Sequence, residues 1–176
     1  MIIRSFLLGV LPALVVAAFA ASPLYATDAG APVVTVVAVR KMQARLPNCE
    51  IGCTVTGGYA NAGDALEIAQ AIARVARTEL EAAELSTYAA FESANQKSIV
   101  SADGRDWGAW QLRDAGQPAL DPVKAARLWL AAADASRALC ASNPAAEQLA
   151  ALASGSCDHG REKVRHRNDI ARSIIR

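Results

Sequence analysis

From residue 64 onward, apolar positions recur along the chain at the spacing of an α-helix. Asp64 is followed three residues later by Glu67, a pattern that is similar to a capping box and predicts a helix start. The apolar positions that continue this helix are Leu66, Ala69, Ile72, Ala73, Ala76 and Leu80. We therefore expect a helical region that begins at residue 64.

The pattern predicts a break in this helix, a restart and then a loop. Ser86 and Thr87 compete for backbone hydrogen bonds and are good N-caps, so we expect the helix to end and restart there. The restarted helix would carry Tyr88, Phe91 and Glu92. Asn95–Gly108 is rich in Ser, Asp and Gly and lacks periodicity, which predicts a loop in front of that helix.

Three more helices are predicted towards the C-terminus. Asp121-Pro122 and Asn143-Pro144 each place an N-cap before a proline at the first helical position. Gly155 would end the second of these helices, and Arg161–Ile175 is amphipathic. The apolar positions of the three helices are Ala126, Trp129, Leu130 and Ala133, then Leu149, Ala150 and Leu152, then Val164, Ile170, Ile174 and Ile175.

The N-terminal part has a different character. Ala31–Val39 is short and β-branched, and is the one strand that the pattern predicts. Leu46–Gly63 contains Pro47, four glycines and the first cysteine pair, which is typical of a loop closed by a disulfide or of a small hairpin. We thus expect a mainly α protein with a short N-terminal strand and loop segment, divided into an extension at 27–63 and a helical domain at 64–176.

The first 26 residues have the composition of a secretory signal peptide. Arg4 precedes the apolar run Phe6–Ala21, with cleavage expected after Ala26 or, alternatively, after Ala20. The run is too short for a membrane span of about 20 residues and contains Pro12, although an uncleaved anchor is the alternative. The sequence therefore predicts a periplasmic or secreted protein that is not inserted in the membrane after cleavage.

Charge gives little indication of a partner. Removing 26 of the 176 residues leaves about 150, enough for one domain, and loss of Arg4 lowers the formal net charge from +1 to 0. Nothing in this balance requires a nucleic acid. Basic residues are concentrated near the C-terminus, at Arg161, Lys163, Arg165, Arg167, Arg172 and Arg176. They indicate either a solvated helix face or affinity for an anionic polymer such as the cell wall.

The four cysteines all lie in the part expected to be exported, where an oxidising compartment favours disulfides. Of the three connectivities, we favour Cys49–Cys53 and Cys140–Cys157, because each closes a local loop that contains turn residues. A zinc site that adds His159 is the alternative, but the spacings do not match a usual finger or ribbon.

Glu92 is the main candidate for catalysis. It follows Phe91 and precedes Trp107 and Trp110 in the chain, and apolar neighbours would keep a carboxyl group protonated near neutral pH. Such an acid can protonate a sugar oxygen. The alternative is a solvated helix carboxylate like Glu79, Glu81 or Glu84.

The order Glu92-Ser93, Ser101 and Gly108-Ala-Trp-Gln111 resembles the soluble lytic transglycosylases and goose-type lysozymes. The resemblance covers roughly residues 65 to 176 and implies a lysozyme-like helical fold. Two departures are visible. Leu152-Ala-Ser-Gly-Ser156 lacks the late tyrosine of that family, and the segment before the helical domain has no counterpart in it.

The resemblance implies that Glu92 is the acid and base that cleaves the bond between N-acetylmuramic acid and N-acetylglucosamine in peptidoglycan. It implies no metal, no organic cofactor and no second carboxylate. The residues expected to line the glycan site are Ser93, Ser101, Trp107, Trp110 and Gln111. For Trp107, Trp110 and Gln111, an anchoring role in the core or a structural hydrogen bond is the alternative.

Two other functions fit the same residues. A muramidase would hydrolyse the bond with water and would need a second carboxylate about 6.5 to 9.5 Å away if it inverts, for which Asp103 and Asp106 are the candidates. A non-catalytic protein could use the same fold to bind the cell wall or to take part in an envelope assembly with an unknown protein partner.

Overall fold

The computed structural model describes residues 33–46 and 62–176, and these residues are mainly helical. The helices are α1 (Val36–Arg45), α2 (Ala62–Val75), α3 (Glu79–Ser93), α4 (Pro122–Leu139), α5 (Ala150–Ser154) and α6 (Arg161–Ile174). A two-stranded antiparallel hairpin pairs β1 (Asp106–Trp107) with β2 (Leu112–Arg113), and single 3-10 turns cover Gln117–Leu120 and Ala145–Glu147. The predicted signal peptide, residues 47–61 of the predicted Leu46–Gly63 loop and the Cys49–Cys53 disulfide lie outside the described residues, whereas Gly63 lies in α2.

Helix α1 replaces the strand predicted at Ala31–Val39, and that prediction is wrong for the residues described. The Thr35 hydroxyl accepts a hydrogen bond from the Ala38 backbone N–H and caps the helix. Val39 and Met42, three residues apart, are buried in the same core as the later helices. Burial along one helical stripe therefore overrides the β propensity of the valines. The core begins before residue 64, the predicted start of the helical domain.

Helix α3 is continuous, so the predicted break at Ser86 and Thr87 is wrong. The Ser86 hydroxyl donates to the Ala82 carbonyl one turn earlier, which satisfies it without interrupting the helix. The chain breaks instead between Val75 and Glu79, where the Thr78 side chain caps α3 by accepting from the Glu81 N–H. The next helix therefore starts eight residues earlier than the pattern predicts.

The predicted start of α2 is also displaced, because the helix begins at Ala62 rather than at Asp64. Asp64 lies in the first turn, where a carboxylate interacts favourably with the helix dipole. Its Oδ2 accepts a hydrogen bond from the backbone N–H of Lys97, at a distance of 3.2 Å. Asp64 thus fixes the loop that follows α3 to the start of α2.

Helix α3 lies at the centre of the described protein, since every residue from 81 to 90 is buried. A helix that is buried on all faces is enclosed by other elements, and here α1, α2, α4 and α6 all pack against it. Tyr88 of α3 contacts the buried Trp129 of α4, with ring centroids 5.0 Å apart. The predicted apolar stripe of α4 is confirmed: Ala126, Trp129, Leu130 and Ala133 are buried.

The two helix starts predicted at Asp121-Pro122 and Asn143-Pro144 have different outcomes. Asp121 caps α4 as predicted, because its Oδ1 accepts from the Val123 and Lys124 N–H groups. Asn143 does not cap a helix, since its side chain donates to the Cys157 carbonyl and only a 3-10 turn follows Pro144. Helix α5 comes later and ends at Gly155, as predicted.

The predicted Cys140–Cys157 disulfide is confirmed. It joins the end of α4 to the segment between α5 and α6, across a sequence separation of 17 residues. The Ser136 hydroxyl supports the same junction by donating to the Gln148 carbonyl and accepting from the Leu152 N–H. The C-terminal part is therefore covalently tied to α4.

Helix α6 forms as predicted and packs antiparallel to α3. Lys163 and Arg167 lie beside Glu92 at the end of α3, whereas Arg172 lies within electrostatic reach of Glu84 near the middle. No helix within residues 33–46 and 62–176 has the length and apolar character needed to cross a membrane.

Candidate active site at the end of helix α3

Glu92 lies in the last turn of α3, with 27% of its side chain exposed. The rest of that turn is anchored in the interior, because Ser93 is fully buried. The Ser93 hydroxyl donates to the Ala89 carbonyl and accepts from the Gln96 N–H at 3.1 Å. The predicted substrate-binding role of Ser93 therefore has no exposed hydroxyl to support it, and Ser93 closes the helix end that carries Glu92.

The carboxylate of Glu92 is paired with a buried arginine. Arg167 of α6 donates through Nη1 to Glu92 Oε1, and its side chain is only 5% exposed. Lys163 Nζ lies 3.9 Å from the same oxygen. The sequence predicted an acid among aromatic rings, but the group in direct contact with this carboxylate is a guanidinium.

The aromatic rings near Glu92 hold the arginine. The guanidinium carbon of Arg167 lies 5.1 Å from the centroid of the Tyr88 ring and 5.4 Å from that of Phe91. Such cation–π contacts contribute about 0.5 to 2 kcal/mol each, more where water is excluded. His166 packs edge-on against Phe91, with centroids 6.2 Å apart. One face of α3, formed by Tyr88, Phe91 and Glu92, thus contacts the Arg167 guanidinium.

Tyr88 brings a further polar group to this face. It is 3% exposed, and its hydroxyl has no hydrogen-bond partner among the described residues. Burial raises the pKa of the phenol well above its usual value, and the nearby Arg167 charge opposes that effect. The phenol is therefore a neutral group at any physiological pH. An unpaired buried hydroxyl costs about 1 to 3 kcal/mol and is uncommon in folded proteins.

Backbone strain follows directly after Glu92-Ser93. Ala94 and Asn95 adopt φ angles of 51° and 60°, in the left-handed region that costs a residue with a side chain about 1 kcal/mol or more. The Asn95 N–H donates to the Ala89 carbonyl, which closes the helix end. Residues in such conformations are concentrated at functional sites.

Ser101, predicted to line the glycan site, is partly buried and organises the loop through its hydroxyl. Its hydroxyl donates to Asp103 Oδ1 at 2.5 Å and accepts from the backbone N–H groups of Arg105 and Asp106. This hydrogen bond lowers the pKa of Asp103, which is exposed. Asp106 begins β1 and lies 3.6 Å from Arg113 across the hairpin. Both candidate second carboxylates therefore have partners within the loop and hairpin.

The Gly-x-x-Gln turn connects β1 to β2 and needs its glycine. Gly108 has a φ of 73°, and a Cβ added there would lie 1.9 Å from the Ala119 carbonyl oxygen. The Gly108 N–H donates to Ile99, and the Gln111 side-chain amide donates to the Gly108 carbonyl at 2.8 Å. Gln111, with a φ of 45°, thus helps to close the turn.

The two tryptophans have different environments. Trp110 is 3% exposed and its indole N–H donates to the Leu85 carbonyl, so it is an anchor that ties the hairpin turn to α3. This is the core role that the sequence left open, and the surface for sugar stacking predicted at Trp110 is absent. Trp107 is half-buried against the core, and its N–H donates to Gly104. Only Trp107 of the pair retains an exposed part.

Sequence reasoning missed the most important neighbours of Glu92. Arg167 lies 75 residues away in the chain, among the basic residues for which the sequence predicts either a solvated helix face or affinity for an anionic polymer. A signal was present, because Arg167 falls on the stripe of α6 that contains Val164, Ala171 and Ile174, all buried. An arginine on an apolar stripe has to find a buried partner.

Two glutamates assigned to a solvated helix face are buried instead. Glu81 pairs with Arg77, and Glu84 pairs with Arg137 of α4. Burial raises the pKa of the Glu84 carboxyl, an effect that Arg137 opposes. Glu147, also buried, accepts from Arg161 and Arg165, which hold its pKa below the usual range. The basic residues of α6 are thus largely committed to ion pairs within the protein.

Comparisons with known proteins give no relative: no protein-family model, no curated protein and no solved structure matches this chain. Among the described residues, no group of three or more His, Cys, Asp or Glu side chains is arranged to hold a metal ion. The geometry around Glu92 is therefore the basis for a functional conclusion.

Proposed function

We propose that this protein is an exported lytic transglycosylase that cleaves peptidoglycan glycan strands, with Glu92 as its acid and base. The observation that carries the proposal is the position of Glu92. A partly exposed carboxylate ends a buried helix, directly before the strained residues Ala94 and Asn95. The lysozyme-like character of the helical fold belongs to the same proposal, as does a location in the periplasm or outside the cell.

The turn that follows supports the same proposal. In the chain order that resembles lytic transglycosylases, the Gly108–Gln111 turn comes after the Glu-Ser pair, and Trp110 fixes this turn to α3. The element that carries Glu92 and the element that would line the glycan are therefore held together by one buried anchor. A preorganised site needs such rigid support.

The chemistry requires two proton transfers, one from Glu92 and one to it. Glu92 protonates the oxygen that links N-acetylmuramic acid to N-acetylglucosamine, and the bond to the anomeric carbon breaks. The acetamido oxygen of the substrate stabilises the cation. Glu92 then takes the proton of the 6-hydroxyl as that oxygen closes the 1,6-anhydro ring. No water is consumed, which fits the engagement of Asp103 and Asp106 with other groups.

A second candidate function is a non-catalytic protein that binds the cell wall. The ion pair between Glu92 and Arg167 favours it, because a charge-compensated carboxylate is a structural feature in many proteins. The absence of the late tyrosine, with Leu152 in that region, points in the same direction. The two candidates differ in whether Glu92 can leave the ion pair and carry a proton.

Product analysis separates these functions. The mature protein is incubated with purified peptidoglycan at pH values from about 4.5 to 8, and the soluble products are identified by mass spectrometry. Anhydromuramyl products are expected. Products with reducing ends would show that the protein is a muramidase and not a transglycosylase. If the folded protein pellets with the wall and releases no product at any pH, the result would support the non-catalytic cell-wall binding protein.

A further inference from the structure

We infer that the outer face of α1 binds the surface of membranes that contain anionic phospholipids. This face consists of the exposed residues of the helix together with an exposed valine just before it, namely Val33, Val37, Arg40, Lys41, Ala44 and Arg45. The inference does not depend on the proposed glycan cleavage, because it concerns another surface of the protein.

The residues of the outer face follow helical spacing, and the opposite side of the helix is buried in the core. Val37 and Ala44 are seven residues apart, so they lie within about 20° of one line along the helix. At about 100° per residue, Arg40 lies on one side of that line, and Lys41 and Arg45 lie on the other. An apolar line flanked by cations is typical of helices that lie flat in a membrane interface.

The three cations of the outer face have no carboxylate partner among the described residues. Helix α1 itself contains no acidic residue. Arg40 donates to the side-chain oxygen of Gln43 at 2.9 Å, Arg45 donates to the Ile174 carbonyl at 2.8 Å, and Lys41 is exposed. The basic residues at the start of α6, by contrast, pair with glutamates of the protein itself. Positive charge that the protein does not compensate attracts an anionic partner.

The exposed valines of the same face favour a lipid surface over an anionic polymer. Val33 is 61% exposed and Val37 is 65% exposed. An anionic polysaccharide or a nucleic acid would pair with the cations and leave these apolar side chains in water. At a lipid surface the valines enter the acyl boundary, while the long stems of Arg40 and Lys41 extend to the phosphates. A phospholipid surface therefore suits both the apolar and the charged part of the face.

The outer face of α1 is separate from the Glu92 site. Arg45 contacts α6 at its last residue, Ile174, whereas Glu92 lies beside Lys163 and Arg167. From residue 167 to residue 174 the helix rises by about 10 Å, at about 1.5 Å per residue. Binding of this kind occurs on the membrane surface and needs no spanning helix. Helix α1 can therefore contact a membrane without involving Glu92.

Vesicle sedimentation tests the inference. The chain from residue 27 onward, which keeps every described residue, is mixed with vesicles of phosphatidylcholine alone or with about 30 mol% phosphatidylglycerol. More protein should pellet with the phosphatidylglycerol vesicles, and added salt should reduce that excess because exposed charges are screened. In Arg40→Gln/Lys41→Gln the partition coefficient on these vesicles should fall about 25-fold, since each cation near an anionic surface contributes about a factor of five.

Lys124→Gln/Arg127→Gln is the matched control for charge. Both residues are exposed on α4 and have no ion pair among the described residues, so the control loses the same two charges from another surface. Its partition coefficient should stay within about twofold of the wild-type value, because only long-range attraction is lost.

Val37→Gln tests the apolar part of the face. It should lower the partition coefficient on phosphatidylglycerol vesicles about fivefold, because one aliphatic side chain no longer leaves water on binding. Leu139→Gln is its control, since Leu139 is 69% exposed at the end of α4, and it should behave like the wild type. Circular dichroism checks that each variant keeps its helical content.

Equal pelleting of the wild type with both kinds of vesicle would overturn the inference, as would equal partition of Arg40→Gln/Lys41→Gln and its control. A wild type that binds purified cell-wall polymer but no vesicles, with this binding lost in Arg40→Gln/Lys41→Gln, would contradict it in favour of an anionic polymer. Anhydromuramyl products without any vesicle binding would refute this inference alone and leave the proposed function in place.

Discussion

At the scale of single residues, the surroundings of a side chain decide what it can do, and several residues here have surroundings that their sequence neighbours do not indicate. Glu92 follows apolar residues in the chain but contacts Arg167 in space. Ser93, Trp110 and Gln111 carry the resemblance to lytic transglycosylases, and each also has an internal hydrogen-bond partner. The Ser93 and Trp110 side chains are buried and hold the frame around Glu92, whereas Glu92, Trp107 and Gln111 are only partly buried.

Gly108 is the residue whose replacement should most directly disturb that frame. In Gly108→Ala the new methyl group would lie 1.9 Å from a backbone carbonyl, at a positive φ. We expect a loss of about 3 kcal/mol in the free energy of unfolding, because strain and overpacking add. Urea denaturation followed by circular dichroism measures it.

Gly104→Ala is the control for Gly108. It has a similar φ of 71° with no atom within 4 Å of the added methyl group. Its cost should be about 1 kcal/mol, the usual penalty of the left-handed region. Equal losses in the two variants would mean that the contact between Gly108 and the Ala119 carbonyl does not matter for stability.

Glu147 should contribute to stability in a pH-dependent way. Arg161 and Arg165 lower the pKa of its carboxyl in the folded protein. The contribution is therefore fully present above the unfolded value of about 4.3, and is lost as the pH falls through the lower folded value. In Glu147→Gln the melting temperature should be reduced at pH 7, and the difference from the wild type should shrink as the pH falls below about 4.

Thermal unfolding at a series of pH values tests this expectation. Glu162→Gln, on the exposed first turn of α6, should remain close to the wild type throughout. A difference between Glu147→Gln and the wild type that stays constant from pH 7 to pH 3 would show that the ion pairs of Glu147 are not responsible.

At the scale of elements, local signals predicted helices where one strong cap or one clear stripe was present. Asp121-Pro122 fixed the start of α4, and Gly155 the end of α5, because caps act over a few residues. Burial overrode the local signals elsewhere: the valines of α1 became helical, and Ser86 remained inside α3. The Asn143 side chain donates to the Cys157 carbonyl instead of capping a helix, and no local sequence pattern predicts that contact.

The Cys140–Cys157 disulfide, which links two elements, is also predicted by the sequence. Cys140–Cys157 closes a loop with a sequence separation of 17 residues, for which chain entropy predicts a stabilisation of about 3 kcal/mol. In Cys140→Ser/Cys157→Ser, the midpoint of urea unfolding should fall accordingly. Mild reduction of the wild type should give a similar fall, and no change in either sample would show that the Ser136 contacts suffice to hold the junction.

At the scale of the whole molecule, α3 is enclosed by four other helices, and α6 completes the enclosure while bringing Arg167 to Glu92. The mainly helical character follows from the periodicity, and the place of Glu92 at a helix end follows from its position before a loop. The ion pairs between α3, α4 and α6 depend on contacts between residues 53 to 75 positions apart, which periodicity cannot reveal. Of these pairs, the one between Glu92 and Arg167 involves the candidate catalytic residue.

The most direct test of the proposal is the rate at which Glu92→Gln releases anhydromuramyl products from purified peptidoglycan, at the pH where the wild type is fastest. Glu79→Gln, exposed in the first turn of the same helix, is the control. Loss of the acid should lower the rate by about 100-fold or more, while the control stays near the wild type. A folded Glu92→Gln protein that releases the same products at the wild-type rate would contradict the account.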